Sequence, residues 1–203
     1  MDEDLKIPIS ISARHIHLTK EHVATLFGKD ARLTVKAPLS QPGQFACNET
    51  VSLTGPRSTI QNVRVLGPER KESQVEISRT DEFALGIDAP VRLSGDTSGT
   101  PGIRLIGPAG EVALDHGVIQ AKRHIHMTPP DAQRFGVEDG ECVMVKVGGE
   151  RGIVYDDVIV RVSNDFMLDM HVDTDEANAA ELRQGAGGIL IKGPTMVRPD
   201  GVQ

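Results

Sequence analysis

The chain of 203 residues is poor in aromatic side chains, with no Trp, a single Tyr, and aromatics at only 3% of the composition. Proteins that hold single-stranded nucleic acid stack its bases on aromatic rings, so this scarcity argues against such a surface. The formal net charge of −7 also argues against nucleic acid, because a polyphosphate backbone attracts basic surfaces. We therefore expect no nucleic-acid partner.

Cysteines and long apolar runs are also scarce. Cys47 and Cys142 are the two cysteines, and they show no Cys-x-x-Cys spacing, which favours a reducing cytosolic compartment over a disulfide scaffold. No apolar run approaches the roughly 20 residues needed to span a bilayer. Three of the first six residues are acidic, and this segment lacks the apolar stretch of a secretory signal. We therefore expect a cytoplasmic protein with no membrane partner.

One tetrapeptide occurs twice. Arg14-His15-Ile16-His17 returns as Arg123-His124-Ile125-His126, at a constant offset of 109 (124 − 15 and 126 − 17). Residues i and i+2 of a strand project from the same face, so each His-x-His pair could bind one metal ion. A single pair of this kind is often only a surface histidine pair. Two copies with matching flanks favour metal binding.

The two halves share more than the histidines. Each half is predicted to run from a His-x-His strand (Ile7–Ile16 and Val118–Ile125) into a helix capped by threonine (Lys20–Phe27 after Thr19, and the helix from Thr128 to Phe135). Several short strands follow, then a strand leading into Thr-Asp-Glu. This segment is predicted to cap a second helix, which ends at Leu85 in the first half and at about Leu182 in the second. Many short strands with Gly/Pro turns, and no Gly-x-Gly-x-x-Gly, favour small β-barrels over a doubly wound dinucleotide-binding sheet.

Each histidine pair needs a third ligand, and Glu76 and His171 occupy corresponding places just before the two Thr-Asp-Glu segments. Histidines with a carboxylate suit zinc or a similar divalent ion, and three protein ligands with one open position are typical of catalytic sites. Glu76 could instead be a solvated strand carboxylate. His171 could instead be a hydrogen-bonded structural histidine.

Arg70 follows the Gly67-Pro68 turn, a few residues before Glu76, where a guanidinium could bind a phosphate with two parallel hydrogen bonds. The alternative is an exposed basic turn. Arg14 and Arg123 are predicted to brace the histidine strands and not to contact substrate. Cys47 is predicted to be a small buried residue.

Seven stretches of the sequence resemble the PduL-type phosphate acyltransferases, the phosphotransacylases of propanediol utilisation. The resemblance extends from about residue 7 to residue 192. These stretches are Arg14–Leu18, Gln41–Gln44, Gly67–Arg70, Gln74–Asp81, Gly99–Arg104, Arg123–Met127 and Met170–Ala179.

The resemblance implies a mainly β fold of two small β-barrel domains, capped by short α-helices, with a metal-containing cleft between them. The first domain would comprise residues 1–36 and 119–203, and the second residues 37–118. The implied activity is the reversible reaction of acyl-CoA and phosphate to acyl phosphate and CoA, with a short acyl chain such as propanoyl or acetyl. CoA is then both substrate and product.

The resemblance also implies site residues and a cofactor of about two zinc ions per chain. Arg70 would be the catalytic residue that binds phosphate. The six metal ligands would form two sets, His15, His17 and Glu76 in one and His124, His126 and His171 in the other.

Two other functions fit the same ligands. In a metal-dependent acyl-CoA or phosphoester hydrolase, water would replace phosphate as the attacking group. A non-catalytic metal-binding module would require closed coordination, which the expected open position argues against. The sequence leaves the acyl chain, the native metal and the oligomeric state open, and it is compatible with a homo-oligomer. Family members packaged in bacterial microcompartments usually begin with an amphipathic helix, and its absence before the first predicted strand argues against microcompartment association.

Overall fold

A computed structural model describes residues 6–192, and these form fifteen strands and four helices, so the predicted mainly β fold is confirmed. In chain order the elements are β1 Lys6–Ser12, β2 His15–His17, α1 Lys20–Phe27, β3 Val35–Pro38, β4 Phe45–Thr54, β5 Thr59–Gly67, β6 Gln74–Glu76, α2 Arg79–Leu85, β7 Val91–Arg92, β8 Ile103–Ile106, β9 Glu111–Leu114, β10 Val118–Ala121, β11 His124–Met127, α3 Pro129–Phe135, β12 Cys142–Val147, β13 Ile153–Val162, β14 Asp169–Asp173, α4 Thr174–Ala179 and β15 Ala186–Ile191. Residues 1–5, which include three acidic residues, lie outside this range. Within it, no helix has the length and apolar character needed to cross a membrane.

The described residues fall into two compact units. The barrel unit contains residues 6–11, 123–172 and 176–192, and the sheet unit contains residues 12–122 and 173–175. Residues 12–36, which the sequence analysis assigned to the first domain, belong to the sheet unit because β2 pairs with β5 and β6. The division into separately folding domains stays a prediction.

The barrel unit is a closed barrel of six strands in the order β1-β14-β11-β13-β12-β15. Strand β11, which carries the second His-x-His pair, pairs with β13 in parallel and with β14 antiparallel. Alternate residues of these strands point inward, as expected of a small barrel filled by side chains. The largest fully buried side chains of its core are Ile7, Ile9, Ile125, Met127 and Met170.

The sheet unit is a curled half-barrel of nine strands, in the order β7-β10-β6-β2-β5-β4-β8-β9, with β3 added beside β4. Strand β2, which carries the first His-x-His pair, pairs with β5 in parallel and with β6 antiparallel. Of the two predicted barrels, one is therefore closed and the other is half of a barrel. Its core includes Ile16, Leu18, Leu26, Leu53 and Leu105.

The predicted strand over residues 7–16 is wrong as one element, because it breaks at residues 13 and 14 into β1 and β2. Strand β1 pairs with β15, whereas β2 pairs with β5 and β6, so the chain leaves one sheet for another at this point. The predicted strand over residues 118–125 breaks in the same way, between β10 and β11. Each histidine strand is therefore short, and it begins at the first histidine of its pair.

Two of the helices begin and end as predicted, since Thr19 caps α1 and Thr128 caps α3. The predicted cap of α2 is wrong. Ser78 is its N-cap and forms a capping box with Asp81, so the Thr-Asp-Glu segment lies inside the first turn. The fourth helix ends at Ala179, short of the predicted Leu182.

Candidate active site

The two histidine strands present their side chains in the same register. In the sheet unit, His15 lies directly opposite Glu76 on the antiparallel strand β6, and His17 lies opposite Gln74. In the barrel unit, His124 lies opposite His171 on β14, and His126 lies opposite Asp169. Each predicted third ligand is therefore the cross-strand neighbour of the first histidine of its pair.

His15, His17 and Glu76, the first cluster, are all buried, and each offers a ligand atom within 4.8 Å of the others. The Nε2 atom of His15 lies 3.4 Å from Glu76 Oε2, and the Nε2 atom of His17 lies 4.0 Å from Glu76 Oε1. Glu76 is 8% exposed, so it is not the solvated carboxylate that the sequence left open. The three side chains could hold one ion.

The electrostatics of the first cluster favour the protonation states that a cation needs. Burial lowers the pKa of His17 to about 3, with further effects of His15 and of the Arg70 charge. Burial acts to raise the pKa of Glu76, but the charge and hydrogen bond of His15 outweigh it and hold that pKa well below its usual range. His17 is therefore a neutral imidazole and Glu76 an ionised carboxylate at pH 7, as ligands must be.

The pKa of His15 is raised, in contrast to that of His17. Burial acts to lower it, but the charge and hydrogen bond of Glu76 outweigh burial and raise the pKa above its ordinary value. The Nδ1 atom of His15 lies 2.9 Å from the carbonyl oxygen of Ala13. If that contact is an N–H donated to the carbonyl, Nε2 is left to face Glu76 and a bound ion.

His124, His126 and His171, the second cluster, likewise bring one ligand atom each within 4.8 Å of the others. The ring centroids are 4.6 Å apart for His124 and His126, 5.1 Å for His124 and His171, and 4.8 Å for His126 and His171. Burial, with the charges of His124 and His171, lowers the pKa of His126 to about 2. His171 also lies within hydrogen-bond distance of Asp169, its Nε2 atom 3.1 Å from Oδ2.

Both clusters fit a divalent cation. The Nδ1 atoms of His17 and His126 are buried and have no hydrogen-bond partner among the described residues. A buried imidazole nitrogen of this kind calls for a partner, and a cation would provide one. Two histidines with a carboxylate, and three histidines, are donor sets that zinc accepts.

Arg70 is half-buried in the loop between β5 and β6, and it is held at two points. Its backbone N–H donates to the carbonyl of Leu18 at 2.9 Å, and its Nη1 donates to Ser94 Oγ at 3.2 Å. Ser94 Oγ in turn donates to Glu76 Oε1 at 2.9 Å, so the guanidinium lies near the first cluster, and its positive charge lowers the pKa of His17. The structure therefore brings Arg70 to the ligands and does not leave it as an exposed turn residue.

Three residues beside the ligands were missed by sequence reasoning. Ser94 Oγ donates to Glu76 Oε1 at 2.9 Å, and Gln74 Nε2 donates to the same oxygen at 2.6 Å. Asp169 contacts His171 in the second cluster. Gln74 and Asp169 each stand two residues before the third ligand, a repeated position that the sequence does show. Nothing in the sequence marks Ser94, which reaches the site from the loop after β7.

Arg14 and Arg123, which were predicted to brace the histidine strands, pair with acidic residues of the Thr-Asp-Glu segments. Arg14 holds both carboxylate oxygens of Asp81, at 2.8 Å and 3.0 Å, and Arg123 lies 3.3 Å from Glu176. Cys47 is fully buried, and burial raises the pKa of its thiol to about 11. The burial confirms the prediction of a small buried residue, and the raised pKa means that the thiol is protonated at pH 7.

A family model described as phosphate propanoyltransferase matches residues 8–183, a range that contains both clusters and Arg70. The chain is 57% identical over 180 residues to a phosphate propanoyltransferase of Thermotoga maritima, covering 88% of this chain and 86% of the relative. It is 53% identical over 186 residues to one of Listeria monocytogenes, covering 92% and 87%, and 52% identical over 184 residues to one of Enterococcus faecalis, covering 91% and 87%.

Proposed function

The chain belongs to the phosphate propanoyltransferase family and is an acyltransferase that uses phosphate, and on this basis we propose that it catalyses the reversible reaction acyl-CoA + phosphate = acyl phosphate + CoA. The acyl group is short, such as propanoyl or acetyl, and the reaction depends on about two zinc ions per chain, one for each cluster. A propanoyl substrate would place the reaction in propanediol degradation.

The observation that carries this proposal is the connection between Arg70 and the first cluster. Ser94 Oγ accepts a hydrogen bond from Arg70 and donates one to Glu76, so one hydroxyl joins the guanidinium to a candidate metal ligand. A guanidinium binds two phosphate oxygens in one plane. Arg70 would thereby hold phosphate at a fixed distance from the cluster.

Phosphate held by Arg70 would attack the thioester carbonyl carbon, forming a C–O bond while the C–S bond breaks and CoA leaves as the thiolate. Zinc held by the two clusters would supply Lewis-acid polarisation of the carbonyl and stabilisation of the thiolate. Orientation of phosphate by Arg70 converts an encounter in solution into a reaction between positioned groups. Cys47 is buried and protonated, which supports direct transfer over a covalent intermediate on that thiol.

The test is release of free CoA from propanoyl-CoA and acetyl-CoA, measured with and without phosphate on protein of known metal content. We expect about two zinc ions per chain, release that requires phosphate, and loss of activity on chelation that zinc restores. His124→Ala should lose about one ion and nearly all activity. Full metal occupancy in this variant would contradict the ligand assignment, and equal release without phosphate would indicate a hydrolase.

A further inference from the structure

Each of the two repeats carries a loop across the end of its histidine strand. Strand β2 lies between β5 and β6, and β11 lies between β13 and β14. The loop of residues 68–73 joins β5 to β6, and the loop of residues 163–168 joins β13 to β14. Each loop therefore has to cross the strand that lies between the two it connects. We call them the first and second crossing loops.

A backbone hydrogen bond fixes each crossing loop to its histidine strand. The N–H of Arg70 donates to the carbonyl of Leu18 at 2.9 Å, and the N–H of Ser163 donates to the carbonyl of Met127 at 3.0 Å. Leu18 and Met127 are equivalent residues of the two repeats, because 127 − 18 is the same offset of 109 that relates the histidines. The crossing loops are thus equal in length and attached to equivalent strand residues, the first through its third residue and the second through its first.

The side chains that the crossing loops bring to the clusters differ. The first loop carries Arg70, whose guanidinium is joined to Glu76 of the first cluster through Ser94 Oγ. The second loop carries Phe166, whose ring centroid lies 4.3 Å from that of His126, the histidine equivalent to His17, with the rings tilted by 38°. The positively charged guanidinium of Arg70, beside the first cluster, suits phosphate. The second cluster has an apolar ring that suits the other part of the reaction, the hydrocarbon chain of an acyl group.

The position of Phe166 is fixed by its own loop. Its N–H donates to the carbonyl of Ser163 at 3.3 Å, and the N–H of Asp165 donates to Ser163 Oγ at 3.2 Å, which closes a tight turn. The guanidinium carbon of Arg161 lies 5.7 Å from the Phe166 ring centroid, and the ring is half-buried between Arg161 and His126. The ring is therefore fixed in position, and its half-buried state leaves part of its apolar surface accessible beside His126.

From this geometry, and resting on the acyl transfer proposed above, we propose that Phe166 is a specificity-determining residue that bounds the acyl chain at the second cluster. An acyl group whose carbonyl end lies at the histidines has its first chain carbons against the Phe166 ring. A two- or three-carbon acyl group then fits in front of the ring, and a longer unbranched chain collides with it. Phe166 thereby restricts the substrate to short apolar acyl groups.

The test uses the variants Phe166→Ala and Phe166→Leu with acetyl-, propanoyl-, butanoyl- and hexanoyl-CoA. We expect the ratio of kcat/KM for butanoyl-CoA to that for propanoyl-CoA to rise roughly tenfold in Phe166→Ala, the lower end of what one methylene is worth in an apolar pocket. Phe166→Leu should show a smaller rise. The ratio of the dissociation constant of butanoyl-CoA to that of propanoyl-CoA, measured without phosphate, should fall correspondingly. Zinc content should stay that of the wild type.

Phe27→Leu is the matched control, because it makes the same change in α1, where Phe27 packs against the core of the sheet unit. It should keep the wild-type preference for chain length. A uniform loss for all four acyl-CoAs in both Phe166 variants would overturn the inference and show that the ring only packs on His126. If Phe166→Ala loses zinc, the inference is judged on Phe166→Leu alone: a raised butanoyl-to-propanoyl ratio of kcat/KM supports it, and an unchanged ratio overturns it. Release of CoA without phosphate by the wild type would overturn the proposed acyl transfer itself, and with it the inference.

Discussion

Ser94 joins two functional candidates that the sequence could only propose separately. Its hydroxyl contacts Arg70 and Gln74 as well as Glu76. Glu76 and Arg70 were found because they lie close to each other in the chain and beside a repeated motif. Ser94 is 18 positions from Glu76 and belongs to no motif, so only the pairing of β6 and β10 beside β7 brings it near. Residues that act by orienting others are the part of the site that sequence reasoning does not reach.

Replacing Arg70 should affect phosphate and leave the metals in place. Arg70→Lys keeps the charge but loses the planar pair of donors, so we expect a raised KM for phosphate and a lower kcat. A loss of roughly 2–4 kcal/mol in transition-state binding is typical of one charged, oriented contact, and Arg70→Ala should lose more. Steady-state kinetics with varied phosphate concentration measure KM and kcat for each variant. Arg151→Lys, an exposed arginine paired with Glu181, is the control. Wild-type phosphate dependence in both Arg70 variants would remove Arg70 from the site.

Asp169 should set the zinc affinity of the second cluster through His171. Its carboxylate lies 3.1 Å from His171 Nε2, and a carboxylate in this position fixes the orientation and raises the basicity of a ligating imidazole. Asp169→Asn should therefore weaken zinc binding at that cluster by about 10- to 100-fold. Competition with a chelating dye measures the affinity. Asp165→Asn makes the same change on an exposed loop residue and should bind zinc as the wild type does; equal affinity in Asp169→Asn would contradict the role.

Helices were predicted better than strands because their ends carry local signals. Thr19 and Thr128 fixed the starts of α1 and α3, and each cap forms within four residues of chain. The break between β1 and β2 was missed, although the apolar alternation changes phase there, from Ile7, Ile9 and Ile11 to Ile16 and Leu18. What decides the break is pairing with β15 on one side and with β5 and β6 on the other. Such partners are distant in sequence, and no local pattern encodes them.

The contact between α1 and the turn joining β8 to β9 should contribute to the stability of the sheet unit. The turn closes through Gly107 N–H to Gly110 O at 2.9 Å, and the N–H of Ala109 donates to the carbonyl of Leu26 at the end of the helix. A Cβ on Gly107 would lie 2.4 Å from that carbonyl oxygen. Gly107→Ala should therefore lower the free energy of unfolding by about 1–3 kcal/mol.

Denaturant unfolding of the Gly107→Ala variant measures this loss. Gly148→Ala is the matched control, since a Cβ there meets nothing within 4 Å. It should be neutral or stabilising by about 0.4–1 kcal/mol, because alanine restricts the unfolded chain. Equal stability of the two variants would mean that α1 and the turn separate readily.

For the molecule as a whole, the repeat was visible in the sequence and the closure of its sheets was not. The offset of 109 predicted two equivalent halves, and the structure gives both histidine strands the same neighbours in the same directions. The barrel unit closes because β1 and β15 complete the ring, whereas β10 and β7 extend the other sheet beyond β6. Strands β1 and β10 stand at equivalent places of the repeat, each directly before a histidine strand, but β1 pairs with β15 and β10 pairs with β7. The predicted cleft that holds both metals stays a prediction.

The buried imidazoles should make the metal-free protein sensitive to acid. The pKa values of His17 and His126 are lowered from 6.5 to about 3 and about 2. Below about pH 6.5 the unfolded chain binds protons that the folded protein does not, so the free energy of unfolding falls as the pH is lowered. The low pKa of Glu76 adds a further loss below about pH 4.5. His15, with its raised pKa, acts in the opposite sense: its contribution is full below pH 6.5 and is lost as the pH rises through its folded-state pKa.

His126→Gln isolates one part of this effect. Between about pH 6.5 and pH 5, a histidine that stays neutral in the fold costs about 2 kcal/mol, because each pKa unit is worth about 1.4 kcal/mol. The variant should lose about that much less stability over this interval than the wild type. Urea unfolding of chelator-treated protein at the two pH values measures it, with His116→Gln, a histidine outside both clusters, as the control. An unchanged pH dependence in His126→Gln would contradict the burial of a neutral imidazole.

Phosphate as the acceptor of the acyl group is tested most directly by ³¹P NMR of the products. Wild-type enzyme holding about two zinc ions would be incubated with propanoyl-CoA and phosphate, and both products would be quantified at early times. We expect a propanoyl phosphate resonance that grows in equal amount with free CoA, and no CoA release when phosphate is omitted. Release of CoA with free propanoate and an unchanged phosphate resonance would contradict acyl transfer and identify the enzyme as a hydrolase.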